Sequence, residues 1–338
     1  MLTLAKQRKI RLLIYLSFLS VLLFLSFLSS LMIGSFPLSP IEVFENLINP
    51  EKNKTISTII YNYRLPRALF ALITGFSLGI SGGVIQSLTR NPLADPYITG
   101  MASGAALGAA IAFLIPIISI YFIPFFAFLG GISSILLTIF LAKKAKAGPI
   151  GFILAGIAIG TFASALLIFI ITLAQEKAHG IIYWIYGSFS TSKWSDIIIT
   201  LPIVAFCSLF LFINARDLNI LLLGEEHASQ LGINAKRLWI LMLLISSLCV
   251  SSCVAFCGII GFIGLVAPHM IRLILSSDNR FVLPLGGLTG AFLLLLSDNI
   301  VKSSINPFGE MPISTITSIM GVPFFIYLLI KKGGRYEM

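Results

Sequence analysis

Apolar runs long enough to cross a bilayer recur along the whole sequence, and they constrain the fold more than any other feature. A helix needs about 20 mostly apolar residues to span about 30 Å of hydrocarbon. Ten such segments can be placed, at 12–34, 65–87, 97–115, 122–142, 151–173, 195–213, 238–257, 259–275, 281–300 and 312–330. The seventh and eighth are divided only by a glycine-bearing break near Gly258 and Gly261. Apolar residues make up 57% of the chain and charged residues 11%, with a mean hydropathy of +1.01. A soluble domain carries about 25% charged residues, and one soluble core cannot hide this much apolar surface. In lipid only helices and closed barrels satisfy their backbone groups. The expectation is an all-α membrane protein of ten transmembrane helices.

The first run, which follows Lys6–Arg11, is longer than the 7–15 or so residues of a signal-peptide core, so it reads as a span that stays. The net charge of +10 does not point to nucleic acid, because the basic residues sit in short loops between apolar runs. With the N-terminus inside, sixteen of the 23 Lys and Arg residues fall on the cytoplasmic side and seven outside. That bias fits the positive-inside rule and puts both termini in the cytoplasm of a cell whose plasma membrane holds the chain.

Glycines recur every four residues at Gly75, Gly79 and Gly83, at Gly100, Gly104 and Gly108, and at Gly156 and Gly160. Such spacing lets helix backbones approach closely. Cys249, Cys253 and Cys257 share one helix face, and Cys207 stands apart. Small thiols in apolar runs read as core packers rather than as a metal site. His269, one residue after Pro268, reads as a hydrogen-bonded structural histidine. Of the thirteen carboxylates only Asp298 lies clearly inside a span, near its outer end. An ion-coupled carrier usually keeps an ionisable group near the midplane. The sequence has no G-x-x-x-x-G-K-[ST] phosphate loop and no H-E-x-x-H, so neither nucleotide binding by that route nor zinc hydrolysis is indicated. A membrane-embedded enzyme would also need a convergent acid, base or metal cluster, which the pattern lacks. Transport driven by a partner's ATPase remains.

Three stretches are distinctive. The first runs from Arg64-Leu65-Pro66-Arg67 through the glycine ladder to Asn91-Pro92-Leu93-Ala94-Asp95-Pro96 and Gly100. The second is Leu222-Leu223-Gly224-Glu225-Glu226-His227-Ala228, then Leu231-Gly232. The third is Gly261-Phe262-Ile263-Gly264-Leu265-Val266-Ala267-Pro268-His269 with Arg272. Trp184–Phe189 and the stretch from Met311-Pro312-Ile313 to Phe325 add to them. Over roughly residues 60–332 the combination resembles the FecCD permeases of iron–siderophore, haem and cobalamin ABC importers.

The resemblance implies two inverted five-helix halves within a single permease domain. It also implies a second permease, expected to be an identical copy. Two cytoplasmic subunits would bind ATP and Mg, this chain carrying no cofactor of its own. An external binding protein would deliver an iron–siderophore or a similar chelate, with cobalamin, haem or molybdate as the alternative cargo. By the same resemblance Arg64, Arg67 and Lys302 would meet carboxylates of the binding protein, Lys302 standing where arginine is usual. The 214–237 loop, with Gly224, Glu225, Glu226, Ala228, Leu231 and Gly232, would seat on the ATPase. Its apolar leucines suit a loop with a partner. Asn91 and Leu93 would narrow the inner end of the pathway. A second constriction near Pro149 departs from the pattern, since Gly148-Pro149-Ile150 stands where small hydroxyl residues are usual.

Overall fold

A computed structural model describes residues 2–115, 119–146, 148–303 and 310–332. Among them every regular element is helical. In chain order the elements are α1 (Leu2–Met32), α2 (Pro40–Ile48), α3 (Lys54–Thr58), a π-turn (Ile59–Arg64) that runs into α4 (Leu65–Leu88), and a 3₁₀ turn (Pro96–Thr99) leading to α5 (Met101–Leu114). There follow α6 (Ile123–Ala145), α7 (Gly148–Leu173), α8 (Ala178–Ile185), α9 (Trp194–Ile213), α10 (Ala215–Leu222) and α11 (Glu225–Gln230). The chain continues with α12 (Ala235–Cys257), α13 (Ile263–Ile274), α14 (Asn279–Ser303) and α15 (Ile313–Lys332).

Each predicted span coincides with a helix. Seven helical segments are long and apolar enough to cross a membrane, by length and composition. The other three, α5, α13 and the apolar part of α15, are shorter. At 1.5 Å per residue, the 14 residues of α5 reach about 21 Å and the 12 of α13 about 18 Å. The break between α12 and α13 lies where the glycines place it. Gly258 ends α12 with φ +75°, and Phe262 precedes α13 with φ +69°. The Trp184–Phe189 stretch packs into that break: Ser188 N donates to the Cys257 carbonyl at 2.8 Å, and Gly187 O accepts from Ile313 N at 3.3 Å.

The central pair is α4 and α14. A methyl group on Gly79 would land on the Gly286 carbonyl oxygen, and one on Gly75 on that of Gly290, well inside contact distance. The two backbones therefore touch along two turns, the approach that small residues four apart permit. Around this pair lie the two largest hydrophobic clusters among the described residues. One, toward the N-terminal end of α4, holds Phe70, Phe189 and Val254; the other, toward its C-terminal end, holds Val84, Phe152 and Met242.

Polar atoms gather at the two ends. Trp194 Nε1 reaches the Tyr61 carbonyl at one end, and Trp239 Nε1 the Leu88 carbonyl at the other. All four cysteines are free and buried, with Cys207, Cys249 and Cys253 in one apolar cluster. His269 is buried, its ring edge-on to Phe324.

Candidate functional site

The end of the bundle that carries Arg67 is an ion cluster. Leu65-Pro66-Arg67 opens α4, and one turn of α14 supplies Asp298 and Lys302. Arg67 donates from Nε and Nη2 to Asp298 Oδ1 at 3.0 and 2.8 Å, and from Nη1 to Glu310 Oε1 at 2.8 Å. Lys302 Nζ lies 3.1 Å from Asp298 Oδ2 and donates to Ser30 Oγ at 2.6 Å. Asp298 and Lys302 are buried.

Arg64 is buried as well and turns toward α1. Its guanidinium donates to the carbonyls of Leu31 (2.6 Å), Met32 (3.0 Å) and Phe36. The first two are carbonyls that a helix C-terminus leaves without partners, and Phe36 lies in the segment that follows. The sequence reading has these three cations meeting carboxylates of an external protein; within the chain each of them already has partners. Arg64 closes the end of α1, Lys302 lies beneath the surface, and Arg67 is matched by two carboxylates of its own chain. Neither Asp298 nor Glu310 could be assigned from the sequence as a partner of Arg67, being 231 and 243 residues away. Asp298 as a buried carboxylate in a span was the available signal.

At the opposite end, 214–237 folds as α10, a turn at Leu223-Gly224 and α11. Only α11 lies within Gly224–Gly232; α10 precedes it, and Gly224, with φ +118°, separates the two. Gly232, with φ +80°, turns the chain toward α12. Leu223 and Leu231 are exposed, 65% and 63%, and Ala228 is buried. Glu225 opens α11, its side chain outside the described residues; Glu226 beside it is exposed. Carboxylates at this position favour the helix dipole.

The polar knot beneath α10 was not legible in the sequence. Asn219 of α10 donates to Asp278 Oδ1 at 2.7 Å and accepts from Asn279 N at 2.9 Å. Hydrogen bonds from Arg280 draw the Asp278 carboxyl down to about 2. Arg272 donates from Nη2 to Ser87 Oγ (2.9 Å), Asn279 Oδ1 (3.1 Å) and Gly83 O (3.2 Å). It thereby ties α13 to α4 and α14. Arg90 Nη2 reaches the Leu221 carbonyl at 3.3 Å.

Asn91 and Leu93 lie beside this knot. Asn91 Oδ1 accepts from Leu93 N at 2.9 Å, an Asx-turn that shapes the loop after α4. Asp95 caps the following 3₁₀ turn at Tyr97 N, and burial pushes its carboxyl up to about 6. Pro149 is exposed in the first turn of α7, three residues before Phe152, whose ring meets Trp239 edge-on at 5.0 Å.

The family model of the FecCD transport family matches residues 22–331. The chain belongs to the FecCD transport family. A FecCD chain is the permease subunit of an ABC transporter and a protein of the inner membrane, with ATP hydrolysis residing in a partner subunit. Among its relatives is the hemin transport system permease protein HmuU of Yersinia pestis, 33% identical, with 94% of this chain and 95% of that one covered. The cobalamin import system permease protein BtuC of Halobacterium salinarum is 36% identical, covering 83% of this chain and 76% of its own length. A solved chain of a transporter assigned to the metal-chelate type, in an inward-facing conformation, superposes with a TM-score of 0.84 at 32% identity. It covers 94% of this chain and 99% of that one.

Proposed function

We propose that this FecCD permease imports an iron–siderophore or a similar metal chelate, without chemistry on the cargo. The observation that carries the reading is the absence of formal charge along two adjacent helices. Neither α5 nor α7 contains Asp, Glu, Lys or Arg, and α7 exposes Leu154, Ile157, Phe162 and Phe169. A chelate hides its metal and offers few fixed contacts, so a wide, uncharged wall suits it. The ten helices that match the predicted spans then all cross, in two inverted halves with both termini cytoplasmic. The exposed face of α7 meets a second copy of the chain.

In the same reading α10 and α11 seat on a cytoplasmic ATPase that binds ATP and Mg. Leu223 and Leu231 supply apolar anchors, while Gly224, Glu225, Glu226, Ala228 and Gly232 set the segment's shape and charge. Asn91, Leu93 and Pro149 stand at the inner mouth. An external binding protein docks at the opposite end. There Arg67 is the most exposed of the three cations, and Arg64 and Lys302 hold its surroundings in place.

The test is uptake into proteoliposomes holding permease, ATPase and binding protein, with ferric citrate, a ferric siderophore, haem and cobalamin as separate cargoes. Ferric chelate uptake should require ATP and persist when proton and sodium gradients are collapsed. Uptake of cobalamin or haem alone would replace the chelate reading with its runner-up. Loss of uptake on collapsing the gradients at constant ATP would overturn the mechanism.

A further inference from the structure

α14 carries a polar cluster at each end, and α4 accompanies it between them. At one end Asp298 is held by Arg67 of α4. At the other Asn279, the first residue of α14, accepts from Ser87 of α4 at 2.9 Å and from Arg272 of α13 at 3.1 Å. Between these clusters the contacts of Gly75 with Gly290 and of Gly79 with Gly286 leave no space into which either backbone could slide. Packed interfaces of this kind move as units rather than deforming continuously. The α4–α14 pair is therefore one rod running from the polar knot to the outer ion cluster.

Asn219 is the clasp between that rod and α10. Its carboxamide uses both ends: Nδ2 donates to Asp278 Oδ1 at 2.7 Å, and Oδ1 accepts from the backbone of Asn279 at 2.9 Å. Because the acceptor is an ionised carboxylate, the first bond is of the stronger, charge-assisted kind. The two bonds together fix orientation as well as distance. The other polar link from α10 to α4, Arg90 to the Leu221 carbonyl, is a single bond at 3.3 Å on a long flexible side chain.

We propose that Asn219 is the positioning residue through which displacement of α10 and α11 enters the membrane, with α4 and α14 moving as one body between the cytoplasmic segment and the outer ion cluster. This rests on the reading of α10–α11 as the ATPase contact. The ATPase pushes α10; the clasp carries α14's first turn with it; the glycine contacts bring α4 along. The far end then shifts the ground on which the binding protein sits.

The experiment uses the full transporter in proteoliposomes. Asn219→Leu keeps the side-chain length and removes both hydrogen bonds. It should leave the ATPase bound to the purified permease, while uptake and the stimulation of ATP hydrolysis by loaded binding protein fall roughly tenfold. Asn219→Cys with Asp278→Cys places two thiols where the side chains already touch, and the four native cysteines are buried. Reduced, the double variant should transport poorly; closing the pair with a mild oxidant or a short bifunctional thiol reagent should restore uptake, because a covalent link replaces the clasp. Normal uptake in Asn219→Leu, or no recovery on closing the pair, would overturn the proposal. The double variant keeps the question open to refutation even where Asn219→Leu fails to fold. Leu231→Asp tests the reading beneath: if the ATPase stays bound with an aspartate there, α10–α11 is not its contact, whatever Asn219 does.

Discussion

Arg67 and Asp298 form a two-point ion pair across α4 and α14, with guanidinium nitrogens 2.8–3.1 Å from both carboxylate oxygens. Parallel bonds of this kind fix geometry as well as contributing energy. Asp298 also lies against Lys302, so one carboxylate holds two cations that could not otherwise stay buried together. Removing it should be severe. Asp298→Asn is expected to destabilise the permease by about 3–5 kcal/mol, the range for breaking one side of a buried pair. Arg67→Met combined with Asp298→Leu should recover part of the loss. Thermal unfolding in detergent reads both.

Glu310 occupies the Nη1 edge of Arg67, which an approaching carboxylate would need. Glu310→Gln keeps the shape and removes the competing charge. Association with an acidic binding protein should then tighten, by about 1 kcal/mol or several-fold in Kd, and the gain should shrink as salt is raised. Surface binding assays on the immobilised permease at two ionic strengths would check this. An unchanged or weaker affinity would place the docking charges elsewhere.

Gly79 has no room for a side chain against Gly286. Gly79→Ala must part α4 from α14, at a cost of about 1–3 kcal/mol or more for overpacking. Ala in place of Gly would by itself favour a helix, so a lower unfolding temperature would show that the interhelical contact outweighs propensity. Gly232→Ala differs in kind. Nothing lies within 4 Å of the added carbon, but φ is +80°. The cost there is conformational, of order 1 kcal/mol, and confined to the turn before α12.

Asp95 gives a pH signature. Its folded-state carboxyl is pushed up to about 6 from 3.8 by burial, against a lowering contribution from Tyr97 N. A carboxyl whose folded value lies above its unfolded one favours the fold while protonated. Its contribution is fully present below about 3.8 and is lost as pH rises toward about 6. Asn caps a helical turn as well as Asp does. Asp95→Asn should thus flatten this part of the stability curve without loosening the turn. The difference in unfolding temperature between wild type and variant, followed across that window, measures it.

The spans were legible because hydrocarbon imposes a period-free signal: long uncharged runs whatever the tertiary contacts. The break at Gly258 was legible for a related reason, since a residue with φ +75° favours glycine. The segment between α1 and α4 was not. Residues 40–64 form α2, α3 and a π-turn, short elements set by local caps such as Ser39 on Glu42 N and Asn53 on Ile56 N. The inward turn of Arg64 was not legible, because an arginine at a span boundary looks the same whether it faces water or turns to the Leu31 carbonyl. The roles of Asn219 and Arg272 depend on partners brought together only by the packing of α4, α10, α13 and α14. No spacing within their own helices announces them. The 214–237 segment stood out through its apolar leucines, of which Leu223 and Leu231 are exposed; its turn at Gly224 follows from the positive φ there.

α1 is held by few points. Arg64 closes its end, Tyr15 Oη meets Thr289 Oγ1 at 2.8 Å, Asn299 Nδ2 donates to the Ser26 carbonyl at 2.8 Å, and Lys302 Nζ donates to Ser30 Oγ at 2.6 Å. Only 11% of its most apolar stretch is buried. Elsewhere along it, any side chain soluble in hydrocarbon will serve. Descent should therefore write freely on this helix while leaving α4 and α14 nearly untouched.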